Sequence, residues 1–350
     1  MPAPRELGFF QPIETDPHEA TLLAWPAAHD LWRDSIAAAR EGFVALARGI
    51  ADVDAPRAGL GEQLWVLVPT AAEEALARAA LAGLPVRFFR IPYGDIWLRD
   101  IAPIFLRHTD GRRAMAVFRF NGWGGKYVLE HDDQVATKVA AALELPRFDA
   151  PFVLEGGSVD VDGEGTVLTT EQCLLNENRN PGRDRAQIER DLAEYLGATK
   201  TLWIKEGLKN DHTDGHIDTL ARFVRPGLVA AMEPAGADDP NRQVLEQILR
   251  ELSAMTDARG RRLEVARIPS PGAVHDDEGR LMPASYANYY LANTTAIVPQ
   301  YGVPQDAKAV EAIARLHPER RVLGAPAKAI LTGGGAFHCI TQQVPRGASR

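Results

Sequence analysis

Cysteine is scarce: the chain has 350 residues and two thiols, Cys173 and Cys339. Two cysteines so far apart make no disulfide framework, so the fold must rest on its core, and a reducing compartment, the cytoplasm, is the expected location. Basic charge is short as well. Lys and Arg number 39 against 47 Asp and Glu, a formal charge of -8, and no basic cluster offers a footprint for phosphate, which argues against nucleic acid as a partner. No apolar run is long enough to span a bilayer, and "MPAPRELGFFQPIETDPHEATLLAWP" lacks a basic leader followed by an apolar segment, so no membrane association is expected. What is present is ordinary: 45% apolar and 25% charged residues, ample material for a globular core.

Helical periodicity recurs at 31–53, 71–82, 132–145, 183–196, 241–255 and 305–317. The clearest case sets Val244, Leu245, Ile248, Leu249, Leu252 and Met255 on one face, the spacing of an amphipathic helix laid on a sheet. Between the helices lie runs rich in β-branched and aromatic residues, among them "LWVLVP", "VRFFRIP", "AMAVFRFN", "TVLTT", "TLWIK", "LEVARIP", "TTAIVP" and "RVLGA". The pattern repeats roughly every 50–65 residues, which predicts about five units of strands plus one helix in a radially repeated α/β architecture. An open doubly wound sheet is the alternative, but no Gly-rich phosphate fingerprint follows an early strand. No linker divides the chain, and residues 1–350 are expected to form a single domain.

Five segments carry more polar chemistry than structure alone demands. In "YGDIWLRDIAPIF", Asp95, Trp97, Arg99 and Asp100 crowd together: either a solvated loop face, or a pocket in which Trp97 is a wall and Asp100 a desolvated acceptor for a cation. In "FVLEGGSVDVDGEGT", Glu155 follows an apolar strand and precedes two glycines, at a strand end open to ligand or on an exposed hairpin. In "DHTDGHID", an extended strand would place His212, Asp214, His216 and Asp218 on one face. That set suits a divalent metal, or a general acid/base His216 flanked by carboxylates. "FNGWGGKY" places glycines around Trp123, and is weak by itself. In "GGGAFHCITQQVP" the glycine run permits unusual backbone conformations and is expected to present Cys339 to a cleft, although a lone cysteine is by default a small buried hydrophobe. Cys173, in "TEQCLLNENRNP", keeps that structural default.

Taken in order, "HEATLLAWP", "WLRDIAPIF", "FNGWGGKY", "LEGGSVDVDGEGT", "CLLNENRNP", "DGHID", "ANYYLANTTAIVPQYG" and "GGGAFHCITQQVP" resemble the agmatine deiminase family. That family is a branch of the guanidino-group-modifying enzymes that includes bacterial-type peptidylarginine deiminases. The resemblance runs from His18 to Pro345. It implies a five-bladed pseudo-symmetric α/β propeller of ββαβ modules, the pentein fold, with the active site at its centre. By motif position Cys339 matches the nucleophile and His216 the general acid/base, while Asp100 and Asp218 match the carboxylates that grip the guanidinium. Glu155 matches an acidic residue contacting substrate or His216, Trp97 the wall beside the guanidinium, and Gly334 a position at the substrate. The implied reaction turns agmatine into N-carbamoylputrescine and ammonia through a thiouronium-type adduct on Cys339, with no cofactor and no metal, in a setting of polyamine and putrescine biosynthesis.

Agmatine-acting members usually carry Asn where Ala336 stands, and a longer segment after the "WGGK" glycines, so a deiminase of another guanidine or of peptidyl arginine is the nearest alternative. A metal-dependent hydrolase built on His212, Asp214, His216 and Asp218 would leave Cys339 and Asp100 without a role. A propeller that binds a cationic amine without chemistry would leave Cys339, His216 and Glu155 unused. The sequence leaves a homo-oligomer open.

Overall fold

The computed structural model describes residues 2–53 and 61–348 and resolves the α/β pattern into five separate sheets. Four of them follow one order along the chain: an antiparallel hairpin, a helix, and a strand returning parallel to the hairpin's second strand. Ile104–His108 pairs with Arg113–Arg119, the helix Asp132–Leu143 crosses, and Arg147–Val153 returns. The same order runs through Val159–Val161, Thr166–Thr170, Arg185–Leu196 and Lys200–Ile204. It runs again through Ala221–Arg225, Leu228–Glu233, Arg242–Ala254 and Glu264–Pro269. Tyr290–Leu291, Thr295–Gln300, Asp306–Leu316 and Arg321–Pro326 complete the series.

The fifth sheet joins the two ends of the chain. Thr341–Pro345 lies antiparallel to His18–Ala24, and Gln63–Val68 and Val86–Arg90 follow in parallel across the helices Ile36–Ala51 and Ala71–Ala80.

Local sequence accounts for the element boundaries. Asp184 caps Arg185–Leu196 by accepting from the Gln187 N–H, the Gln187 side chain accepts in return from the Asp184 N–H, and Gly197 closes the helix at φ 77°, a capping box with a left-handed stop. Thr70 caps Ala71–Ala80 through its hydroxyl, which accepts from the Glu73 N–H, with Glu73 and Glu74 in the first turn, where a carboxylate favours the positive end of the helix dipole. Arg242–Ala254 buries Leu245, Ile248, Leu249 and Leu252, the face foreseen from the periodicity, each side chain contributing about 1.5–3 kcal/mol of apolar burial. Every residue of Thr166–Thr170 is buried, which is why "TVLTT" shows no polar alternation.

Two expectations are corrected. The first helix is not continuous over 31–53: a short helix His29–Trp32 and a 3-10 turn Arg33–Ser35 precede Ile36–Ala51, with Arg33 at φ 45°. The "DHTDGHID" segment is not a strand. It is a series of turns leading into the 3-10 turn Ile217–Thr219, with Asp214 and Gly215 both at positive φ, so the period-two alignment of its four polar residues does not exist. Among the described residues no helix is long and apolar enough to cross a membrane.

Candidate active site

A tight turn precedes the first strand of every sheet's hairpin, and each turn carries polar side chains that meet those of the others. Asp100 sits in Leu98–Ile101, ahead of Ile104–His108. Glu155 stands immediately before the 3-10 turn Gly156–Ser158, and His216 and Asp218 lie at Ile217–Thr219. Asn288 ends Tyr286–Asn288, and Cys339 lies just ahead of Thr341–Pro345. All six side chains are buried.

Their contacts form a continuous set. His216 Nδ1 is 3.7 Å from Asp100 Oδ1, and its Nε2 is 4.0 Å from Glu155 Oε2. Cys339 Sγ lies 3.6 Å from Asp218 Oδ2 and receives the Asn288 amide at 3.1 Å. Asn288 Oδ1 also accepts the backbone N–H groups of His338 and Cys339, so one amide clamps both the sulfur and the peptide that carries it. A side chain on Gly157 would fall between His216 Nδ1, Asp100 Oδ1 and Asp218 Oδ2, at 2.7, 2.9 and 3.2 Å. Glycine is required there because three functional groups surround its α-carbon.

The two aspartates differ in environment. Asp100 accepts from the Gly157 N–H and the Trp123 indole N–H. Burial pushes its carboxyl up, His216 draws it partly back, and Asp218 and Glu155 raise it further. Burial pushes Asp218 in the same direction, but the hydrogen bond and charge of His338, with His216 and Arg222 beyond, hold it below the ordinary aspartate value. Asp218 Oδ1 is buried without a partner, an acceptor aimed at something other than the protein. For His216, burial disfavours the imidazolium, yet Asp100, Cys173 and Glu155 outweigh it and lift the group to about 10. The Cys339 thiol is pushed well above its ordinary value by burial and then by the charges of Asp218 and Asp100.

Above the sulfur opens a cavity of about 290 Å³ whose walls include Trp32, Trp97, Trp123, Tyr127, Asp95 and Asp100. Asp95 accepts the indole N–H of Trp32 on one oxygen and that of Trp97 on the other, both at 2.8 Å, so one carboxylate fixes two stacked walls 6.2 Å apart. No lysine or arginine is among the residues lining this cavity. The glycine run also forms part of the wall. Only Gly334 uses a positive φ, 111°; side chains on Gly333 and Gly335 would strike the Trp97 ring, and one on Gly335 the Cys339 side chain as well. Close approach of an aromatic wall, more than flexibility, explains two of the three glycines.

Behind the site stands a charged layer that motif reading did not bring forward. His338 Nδ1 meets Asp218 Oδ2 at 2.7 Å and its Nε2 meets Glu14 Oε2 at 2.8 Å. The same Glu14 oxygen accepts from Arg222 at 2.6 Å. Burial would raise Glu14, but Arg222, His338 and Arg99 hold it well below the usual glutamate value. His338 thus bridges a carboxylate on each side. Glu155 Oε1 accepts from Arg179 Nε at 2.6 Å, which excludes the exposed-hairpin reading of Glu155. Asp214 pairs with Lys126 and Arg179, and His212 is exposed at the cavity mouth. The four "DHTDGHID" residues therefore do not gather as a ligand set. Among the described residues the one group that does is Glu155, Cys173 and His216, whose ligand atoms lie within 4.8 Å of one another. Cys173 is buried in apolar surroundings, as its structural default implied, but beside functional neighbours.

Comparison with known proteins fixes the class. A family model for Porphyromonas-type peptidyl-arginine deiminases matches residues 10–345, and the chain belongs to that family. Among curated relatives, the agmatine deiminase of Stutzerimonas stutzeri is 38% identical over 366 residues, covering 98% of this chain and 97% of the relative. A solved structure of the agmatine deiminase of Enterococcus faecalis aligns with a TM-score of 0.92 at 33% identity, covering 99% of this chain and 98% of that one. The C. jejuni agmatine deiminase with substrate bound aligns with a TM-score of 0.85 at 27% identity, covering 97% of each chain.

Proposed function

We propose that this protein is a hydrolase of linear amidines that converts agmatine to N-carbamoylputrescine and ammonia. One observation carries the reading: a buried thiol, an imidazole and three carboxylates meet beside an aromatic cavity with no lysine or arginine in its lining. A guanidinium is planar and permanently charged. Asp100 and Asp218 accept its N–H groups from two sides and fix its plane, Asp218 through the otherwise unpartnered Oδ1. Trp97 and the backbone at Gly334 bound the space around it. Arrival of the cation offsets the two carboxylates that raise the Cys339 thiol, so the proton leaves for solvent and the thiolate attacks the guanidinium carbon.

His216, an imidazolium at neutral pH because of its raised value, donates its proton to the departing nitrogen as the C–N bond breaks and ammonia leaves. The neutral imidazole then takes a proton from water. Hydroxide adds to the thiouronium carbon, the C–S bond breaks, and a urea is released from regenerated Cys339. Glu155, locked by Arg179, faces His216 and steadies the imidazolium. The same reading makes the chain one domain, a propeller whose five sheets are its blades; support comes from the repeated strand order and from site residues placed at the same point of each sheet. Two free thiols suit a reducing compartment such as the cytoplasm.

Agmatine is favoured over arginine because an α-carboxylate would be desolvated in the cavity without a cation to pair it, a loss on the order of 100-fold or more in kcat/KM. Ureido product should be measured with agmatine, arginine and an arginine peptide side by side; failure to turn over agmatine sinks the proposal. Peptidyl arginine is the second reading. It is favoured by a wider groove of about 630 Å³ beyond Tyr127 and His212, which contains Lys126 and Arg280. Cys339→Ser should lose nearly all turnover, the hydroxyl being far less ionised than a thiol; retention of activity near the parent level would remove Cys339 as nucleophile.

A further inference from the structure

We infer that Glu155, Cys173 and His216 form an inhibitory binding site for a zinc-class divalent cation, set behind the imidazole and outside the substrate cavity. Carboxylate, thiolate and imidazole are a donor set that Zn2+ takes readily and that Mg2+ or Ca2+ does not. All three side chains are buried and their ligand atoms lie within 4.8 Å of one another. A second observation points the same way: Glu155 Oε2 and both nitrogens of His216 are buried without hydrogen-bond partners. Arg179 holds the other Glu155 oxygen, which leaves Oε2 directed at His216 Nε2, 4.0 Å away. In a tetrahedral zinc site donor atoms stand roughly 3.3–3.8 Å apart, so modest side-chain torsion closes the group around the ion. Cys173 enters as thiolate and His216 through a deprotonated Nε2, so binding releases two protons to solvent, one from the thiol and one from the imidazolium.

The position determines the effect. Nδ1 of His216 faces Asp100, at 3.7 Å, while Nε2 faces Glu155. An ion on Nε2 confines the remaining proton to Nδ1, and the ring then cannot alternate between donor and acceptor. An ion on the Glu155 side of the ring leaves Asp100, Asp218 and Trp97 free to hold the guanidinium while it blocks the proton transfers of His216, so zinc lowers kcat and leaves KM in place. An ion captured by Cys339 would instead compete with substrate. The inhibitory consequence rests on the deiminase reading; the site itself does not.

Cobalt(II) titrated into the metal-depleted Cys339→Ala enzyme tests the site directly. A thiolate-to-cobalt charge-transfer band should grow to one equivalent, be displaced by Zn2+, and be lost when Cys173→Ser is added. Absence of the band in Cys339→Ala, or its persistence after Cys173→Ser, overturns the proposal. Should the double variant not fold, Glu155→Gln in the Cys339→Ala background is expected to keep the band and weaken cobalt affinity by at least roughly tenfold; unchanged affinity also overturns it. In the intact enzyme Zn2+ should reduce kcat at constant KM, reversibly with chelator, whereas a rise in KM at constant kcat assigns the ion to the cavity. A normal cobalt band in a protein that turns over no guanidine would sink the deiminase reading and leave the site standing.

Discussion

Asp100 and Asp218 are the same residue type about one small cation-sized space, yet their surroundings separate them. Asp100 is held by two neutral donors among other anions and is raised; Asp218 has the His338 imidazole behind it and is lowered. The same residue type is thereby raised on one side of the space and lowered on the other. The groups facing Asp218 are His338, Cys339 and His216, with Arg222 and Glu14 behind. His338→Gln keeps a donor but removes the imidazole whose interaction lowers Asp218, so the Asp218 carboxyl rises and the acid limb of kcat/KM against pH should move to higher pH with the melting temperature little changed. An unmoved limb would reduce His338 to packing. Asp218→Asn should raise KM and lower kcat together, because the acceptor serves both ground and transition states. For His216, NMR titration should find an imidazolium that loses its proton near pH 10, with turnover falling on the alkaline side as the proton donor disappears. Asp100→Asn, by removing the largest attraction on that proton, should shift the titration to lower pH.

At the scale of elements, short turns ahead of strands do the positioning, and adjacent glycines in one of them have opposite duties. A Cβ on Gly156 would meet the Arg99 carbonyl oxygen at 2.2 Å, whereas one on Gly157 would enter the space among His216, Asp100 and Asp218. Gly156→Ala should therefore cost stability, on the order of 1–3 kcal/mol, seen as a lower midpoint in denaturant. Gly157→Ala should fold and bind substrate poorly. The reverse pattern would place the pressure wrongly. The amphipathic helices and apolar strands were legible in the sequence because burial on one face leaves a period. The "DHTDGHID" turns were not, because positive φ at Asp214 and Gly215 breaks the alternation that made a strand attractive. Glu14 had no local signal, and Asn288 and Arg179 lay in quoted segments without a visible role, because what they do is set by partners elsewhere in the chain: Glu14 acts on His338, Asn288 on Cys339 and Arg179 on Glu155. The His338–Cys339 adjacency was visible, but which of the two faced a carboxylate pair was not.

At the scale of the molecule, repetition was legible and its completion was not. Apart from Phe9–Phe10, which adds to the edge of Ile104–His108, four sheets are made from contiguous sequence, and spacing exposes them; the fifth pairs Thr341–Pro345 with His18–Ala24, which no window on the sequence can register. Lysine substitution at Val344, fully buried in that strand, should cost activity and stability together, on the order of several kcal/mol for an unpaired buried charge, read from thermal unfolding and turnover on the same sample. That late strand also has a consequence for synthesis. Residues 21–23, Arg99, Asp218 and Asn288, against which the Cys339 segment docks, all precede it in the chain, so it is translated after the groups that receive it. With Cys339 as the proposed nucleophile, a chain still short of that segment holds the aromatic walls and both aspartates without the sulfur, and should turn over no guanidine.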